Sequence, residues 1–172
     1  GRNKGVCCGI APHVHFLEHP TYVQCLYREV KNLAIGCKAK QSSTFNGRNA
    51  SLAVDGNIIG TERTSSCTDC EHKAWFEVDL GQYGLIEEIK LYNRTDRPRD
   101  QAFPDDYYTS RLFPCWILIG IDPFDDNPIL DVSFQNSKAT SVANIKLTEN
   151  KSISVWKCPA NTHGRFVRVQ LE

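Results

Sequence analysis

Trp75-Phe76-Glu77-Val78-Asp79-Leu80 alternates large apolar with acidic side chains and is followed by Gly81, the period-two pattern of a strand with one face buried and one wetted. Outward from it, Leu85 to Tyr92 reads as the next strand, bounded by Gly84 and Asn93. Trp116 to Gly120 is apolar at almost every position, as in a central strand covered on both faces. Ile129 to Phe134, Ser152 to Trp156 and Arg165 to Leu171 continue the series, the last with clean alternation. Six or more short strands without a long amphipathic helix predict an all-β sandwich or barrel. Residues 98 to 110 break the rhythm with Pro, Asp, Phe and Tyr and read as a long variable or functional loop.

The chain has 172 residues, the size of one domain, and 41% of them are apolar, enough to fill its core. Basic and acidic residues balance at 20 each with no basic block, so attraction to nucleic acid or an anionic membrane is not expected. Apolar runs have strand length, far short of the roughly 20 residues of a bilayer span. Gly1 to Lys4 is followed by no apolar signal-type stretch, so the chain reads as processed or as excised from something larger. A Gly-x-Ser-x-Gly elbow, a His-Glu-x-x-His helix and a phosphate-binding Gly loop are all absent. Asp105-Asp106 and Asp125-Asp126 sit beside Pro or Asn in loops, where solvated charge is the ordinary role. An enzyme is therefore not expected.

Cys7, Cys8, Cys25, Cys37, Cys67, Cys70, Cys115 and Cys158 point to an oxidising compartment and to disulfides. Cys67-x-x-Cys70 has metal-ligand spacing, but a structural zinc site needs a second matched pair, which the adjacent Cys7-Cys8 does not supply. The acceptor sequences at Asn49, Asn93 and Asn150 fit a secreted glycoprotein. Residues 1 to 31 hold three cysteines and three of the five histidines with no sustained period. They read as a short irregular extension stapled by disulfide to a domain of residues 32 to 172. His13, His15 and His19 within it read as polar surface rather than a metal cluster.

Several segments, taken in order, resemble the F-type lectins, the fucose-binding family. Asn32 to Thr44 resembles the opening NLA.GK.A.QSST stretch, Ala53-Val54-Asp55-Gly56-Asn57 the A(V/I)DGN turn, and Ser66-Cys67 the SC step. Trp75 to Gly81 resembles WW.VDLG, Asn93-Arg94-Thr95-Asp96 resembles NR.D, and Arg111-Leu112 with Ile117 to Gly120 resembles RL..F.I.IG. Cys158-Pro159 and Gly164 to Val167 match the family's end. The resemblance implies a discoidin-like jelly-roll β-sandwich, in agreement with the strand count, and an extracellular carbohydrate-binding domain of the fucose type.

That family holds fucose with one His and two Arg, and the resemblance places Arg94 and Arg111 in the arginine positions, with Asp96 holding an arginine in place. Guanidinium groups suit a neutral sugar because they offer several donors in a fixed plane. The chain departs from the pattern in three ways. Asp69 occupies the His position and cannot donate as an imidazole does, leaving His72 to enter only if the loop is re-formed, through Cys67 and Cys70. Fourteen residues separate Asp96 from Arg111, far more than in the family, bringing Phe103, Tyr107 and Tyr108 to the rim, while Arg97-Pro98 replaces a vicinal cysteine pair. Thr95 makes Asn93 a glycan acceptor beside Arg94. Without the resemblance, Arg94 and Asp96 read as an ion pair at a strand end.

The resemblance further implies structural Ca2+, bound by the Asp55 carboxylate, the Leu52 and Asn57 carbonyls and the Ser66 hydroxyl and carbonyl, an all-oxygen set. Turn chemistry alone also accounts for Asp55-Gly56-Asn57. The family's last Glu ligand and last cysteine would fall beyond Glu172, leaving Cys67 to pair with Cys70 or with an N-terminal cysteine. Two functions stay open. One is a lectin for fucosylated glycans, an oligomer or tandem domain for avidity. The other is a protein-recognition or adhesion domain that uses the 99 to 111 loop on a lectin scaffold.

Overall fold

The computed structural model describes residues 31–98, 102–127 and 141–172, with the backbone pairing of Cys7–Cys8 and His13–Val14. Its strands are β1 (Cys7–Cys8), β2 (His13–Val14), β3 (Lys38–Gln41), β4 (Ser66–Cys67), β5 (Trp75–Leu85), β6 (Glu88–Tyr92), β7 (Cys115–Gly120), β8 (Ser141–Leu147), β9 (Ile153–Lys157) and β10 (His163–Leu171). A five-stranded sheet in the order β3-β5-β10-β7-β8 packs on a three-stranded sheet, β2-β6-β9, while β1 pairs with β4. Neighbours run antiparallel throughout. Helix is confined, among the described residues, to two 3-10 turns, Ala50–Ala53 and Thr109–Leu112. This is an all-β, discoidin-like sandwich. No helix among the described residues is long and apolar enough to cross a membrane.

Strand alternation places the core. Val78 and Leu80 of β5, Ile117 and Ile119 of β7, and Val167, Val169 and Leu171 of β10 face Ile89 and Leu91 of β6 and Trp156 of β9. Each fully buried aliphatic side chain contributes about 2 kcal/mol. β7 is covered on both faces as its composition implied, since Leu118 joins Phe124 and Phe166 in a second cluster on the sheet's other side. On that side Arg168 is wholly buried and donates to Glu77 Oε2 from Nε (3.0 Å) and to the Asp125 carbonyl from Nη2 (2.7 Å). Its guanidinium also lies 4.1 Å from the Trp75 ring centroid, so the buried charge is bonded and stacked rather than orphaned.

Two boundaries around Gly81 differ from the sequence reading. Gly81 does not end β5, which continues to Leu85. Gly81 adopts φ +78° with its N–H on Asp79 Oδ1 at 2.8 Å, and the pairing with β10 shifts register between Gly164 and Phe166, so the strand kinks and goes on. The next strand consequently starts at Glu88 instead of Leu85. β8 was not anticipated, and the strand expected at Ile129 to Phe134 lies outside the described residues.

The cysteines do not all pair. Cys37, Cys70, Cys115 and Cys158 carry free thiols, while Cys67 is disulfide-bonded. Of the two partners left open for Cys67, Cys70 or an N-terminal cysteine, this removes Cys70. Cys115 is fully buried in the core, and burial pushes its thiol up to about 12. Cys37 Sγ donates to the Leu33 carbonyl at 2.9 Å.

Candidate functional site

The site grows from the end of β6. Asn93 is 2% exposed, its Oδ1 accepting from Arg94 N–H (2.8 Å) and its Nδ2 donating to the Thr109 carbonyl (2.8 Å) and the Lys151 carbonyl (3.3 Å). A glycan would occupy that Nδ2. Attachment replaces one of the two Nδ2 hydrogens and so breaks at least one of these bonds, at a side chain with almost no exposed surface, which disfavours the expected acceptor role of Asn93. Asn49 and Asn150 are exposed; Asn49 Oδ1 caps the Ala50–Ala53 turn through Ser51 N–H, and Asn150 Nδ2 donates to Asp106 Oδ2 at 3.1 Å.

Beyond Asn93 the chain is held by Gly60, whose carbonyl accepts from Thr95 N–H at 2.8 Å and Asp96 N–H at 3.2 Å. The approach admits no side chain, since a Cβ on Gly60 would lie 2.2 Å from the Asn93 carbonyl oxygen. Arg94, 3% exposed, is thereby fixed with Nε on Asp96 Oδ1 (2.5 Å) and Nη2 on Asp96 Oδ2 (2.8 Å). This fork is the arrangement that locks a guanidinium's orientation. Burial alone would raise the Asp96 carboxyl, but the Arg94 bonds outweigh it and hold the group below its ordinary value. Glu62 Oε2 stands 3.8 Å from Arg94 Nη2, and the Tyr108 ring covers the guanidinium at 3.5 Å.

Beside this assembly is a cavity of about 450 Å3, lined by the 61–63 loop, Arg94, Asp96, Arg97, Pro98, Phe103 and Tyr108. The inserted loop supplies its aromatic wall: Phe103 lies 4.4 Å from Tyr107, which meets Tyr108 edge-on at 5.3 Å. Phe103 and Tyr108 line the cavity, whereas Tyr107 is not among its lining residues. Arg111, in the second 3-10 turn, does not line the cavity. It donates from Nη2 to Cys70 Sγ at 3.4 Å and lies 5.8 Å from the Tyr107 ring. The two arginines therefore bracket the tyrosine pair. His72 is exposed and outside the cavity lining, and Asp69 is exposed with its N–H on Ser43 Oγ at 2.9 Å.

Two residues went unnoticed in the sequence. Glu62 looks like any loop acid until Gly60 brings its segment against 93–96. Arg48 follows the Asn46-Gly47 turn with no motif around it, yet it is 8% exposed and lies within electrostatic reach of Arg94, Glu62, Arg111 and Asp96.

At the expected cation site, Asp55 Oδ1 accepts from Asn57 N–H (2.7 Å) and Asn57 Oδ1 from Ile59 N–H (2.9 Å), so these side chains build the turn themselves. The 3-10 turn carrying Leu52 packs against β4, which carries Ser66. The oxygen-only donor chemistry and this juxtaposition fit a hard cation.

The sandwich belongs to the galactose-binding-like class of β modules, as a family model shows. Residues 52–169 match the family model described as NedA-like, galactose-binding domain. The chain is 27% identical over 147 residues to Fucolectin-4 and 30% identical over 148 residues to Fucolectin-1, both of Anguilla japonica. Each match covers 82% of this chain and 72% of the relative. It superposes on the lectin domain of lectinolysin complexed with Lewis B antigen with TM-score 0.62 and 26% identity, over 82% of this chain and 85% of that one. The chain belongs to the F-type lectin family within that class, a family of lectins rather than enzymes.

Proposed function

We propose that this protein is an extracellular lectin domain that binds fucose within glycans, with Arg94 as principal donor. The carrying observation is the Arg94–Asp96 fork: a guanidinium buried to 3% exposure, oriented by two bonds, at the wall of a ligand-sized cavity. Preorganised donors lose little entropy when they meet sugar hydroxyls. Two fucolectins and a Lewis B-bound lectin domain among its relatives support the reading. Arg111 would act from across the tyrosine pair, and Tyr108 would move off Arg94 or present its ring edge to the sugar. His72 would take part only after its loop rearranged.

The second reading, recognition of an extracellular protein, is favoured by one observation. Tyr108 already covers the Arg94 guanidinium, so Phe103, Tyr107 and Tyr108 form a formed aromatic surface beside the site. Titration with L-fucose and a Lewis b oligosaccharide separates the two. Binding lost in Arg94→Ala supports the lectin; no heat or line broadening at about 10 mM sugar refutes it and directs attention to the tyrosine surface.

The supporting proposals follow from the same frame. Ca2+ would be held by Leu52, Asp55, Asn57 and Ser66 and would stiffen the loop before the site. Cys67 would pair with Cys7, whose Cα stands opposite it in the β1–β4 register, stapling the N-terminal extension to the domain. Asn49 and Asn150 would carry glycans, consistent with secretion. A weak single site would gain avidity through oligomers or tandem domains.

A further inference from the structure

Asp96 does not exhaust the Arg94 guanidinium. The fork uses Nε and one N–H of Nη2, and the Tyr108 ring covers one face at 3.5 Å. Nη1 has no hydrogen-bond partner among the described residues and is not sealed from solvent, so donors remain open toward the cavity that Arg94 lines. Glu62 stands beside them. Its Oε2 is 3.8 Å from Nη2, beyond hydrogen-bond length, and its side chain is half exposed. Neither Glu62 carboxylate oxygen accepts a hydrogen bond among the described residues.

The main chain holds this pair in place. Gly60 grips the Thr95 and Asp96 N–H groups, and the 61–64 turn that follows is closed by Thr64 N–H on the Thr61 carbonyl (3.2 Å) and by a 2.9 Å bond between the two threonine hydroxyls. Glu62 is carried on that turn and, like Arg94, lines the cavity. An acid placed here merely to neutralise Arg94 would duplicate Asp96, which makes two bonds to it and is less exposed. The pair offers a ligand what a lone arginine lacks. A guanidinium only donates and a carboxylate only accepts, whereas a sugar hydroxyl does both. Two hydroxyls on neighbouring ring carbons lie about one hydrogen-bond length apart, so one can accept from Arg94 while the next donates to Glu62 across the 3.8 Å gap.

We propose that Glu62 is a specificity-determining residue of this site, the acceptor for one sugar hydroxyl, and that the site selects glycans whose terminal sugar presents two neighbouring free hydroxyls to the Arg94–Glu62 pair. The proposal rests on the lectin reading above and names the hydroxyl pattern that the ligand must carry.

The test uses methyl α-L-fucoside and the three forms of it that each lack one ring hydroxyl, titrated by NMR line broadening into wild type, Glu62→Gln and Glu62→Ala. In wild type, one deoxy form is expected to bind at least about tenfold more weakly for want of the charge-assisted bond to Glu62. Glu62→Ala is expected to weaken the parent sugar by a similar factor and to cut the further loss from that one deoxy form to less than about threefold. Glu62→Gln, which keeps an acceptor oxygen without the charge, is expected to fall between. An acid that only steadied Arg94 would weaken the parent and every deoxy form by one common factor, so a uniform loss overturns the proposal, as does Glu62→Ala binding like wild type. Either result leaves the lectin reading standing. Should Glu62→Ala fail to fold, Glu62→Gln decides alone, because the penalty for the same deoxy form must shrink by at least about threefold. A wild type that binds none of the four sugars at about 10 mM overturns both readings.

Discussion

Replacing Asp96 by Asn tests the site at its keystone. Asn keeps one acceptor oxygen but turns an NH2 group toward a guanidinium that can only donate, so at best one bond of the fork survives. Removing one partner of a fully buried ion pair costs about 3–5 kcal/mol. Arg94 is buried to 3%, but the Asp96 side chain is 29% exposed, so water recovers part of the loss and about 2 kcal/mol is expected. The freed guanidinium also loses its fixed plane, and fucose affinity is expected to fall at least about tenfold, or about 1.4 kcal/mol. Urea unfolding and calorimetric titration measure the two effects. A double-mutant cycle with Arg94→Ala should return a coupling of about 2 kcal/mol. A coupling below about 0.5 kcal/mol with unchanged affinity would mean that the pair behaves as an exposed surface ion pair and organises nothing.

Asp96 and Asp79 are both held below their ordinary values, Asp79 chiefly by its Arg165 bonds. The stability from such depressed carboxyls is present above their unfolded value and lost as pH falls through the folded one, so sugar binding and stability should be flat from about pH 8 to 5 and drop below about pH 4. A decline already between about pH 7 and 5 in a binding titration would show that protonation of these carboxylates is not what controls binding. Gly60→Ala should cost about 1–3 kcal/mol in urea unfolding and weaken sugar binding, because its Cβ meets the Asn93 carbonyl; wild-type behaviour would show that the approach is not needed. Chelation should lower the melting temperature by about 5 °C if Ca2+ is held well above its dissociation constant, with Asp55→Ala abolishing the difference; an unmoved transition rules the ion out.

The sandwich was legible wherever one strand face is wet and the other dry, as in Trp75 to Leu80 and Arg165 to Leu171. It was less legible where a bulge lets a strand pass a glycine, as at Gly81. β8 carried a readable signal, with Ala143, Ile145 and Leu147 at period two and packed against the core, but the small Ala and the intervening Asn144 weakened it. At the site, Arg94 and Asp96 are adjacent in sequence and their fork follows from that spacing. The expected convergence of Arg111 and His72 on one pocket did not follow, because the insertion sends Arg111 to Cys70 and Tyr107. Arg48 and Glu62 come from separate turns that only the folded backbone brings near Arg94, and no spacing rule encodes such an encounter.

Asn93 and its neighbours bear on how this protein can change. The Asn93 side chain grips the Thr109 carbonyl, and Thr109 Oγ1 grips the Arg94 carbonyl at 3.0 Å, so both ends of the aromatic insertion are clamped to the same point. Whatever lies between Pro98 and Tyr108 can then be exchanged without dragging the arginine with it. The insertion is in effect a replaceable cassette mounted on a rigid frame, and a library confined to it would vary what the domain recognises while sparing the fold that presents it.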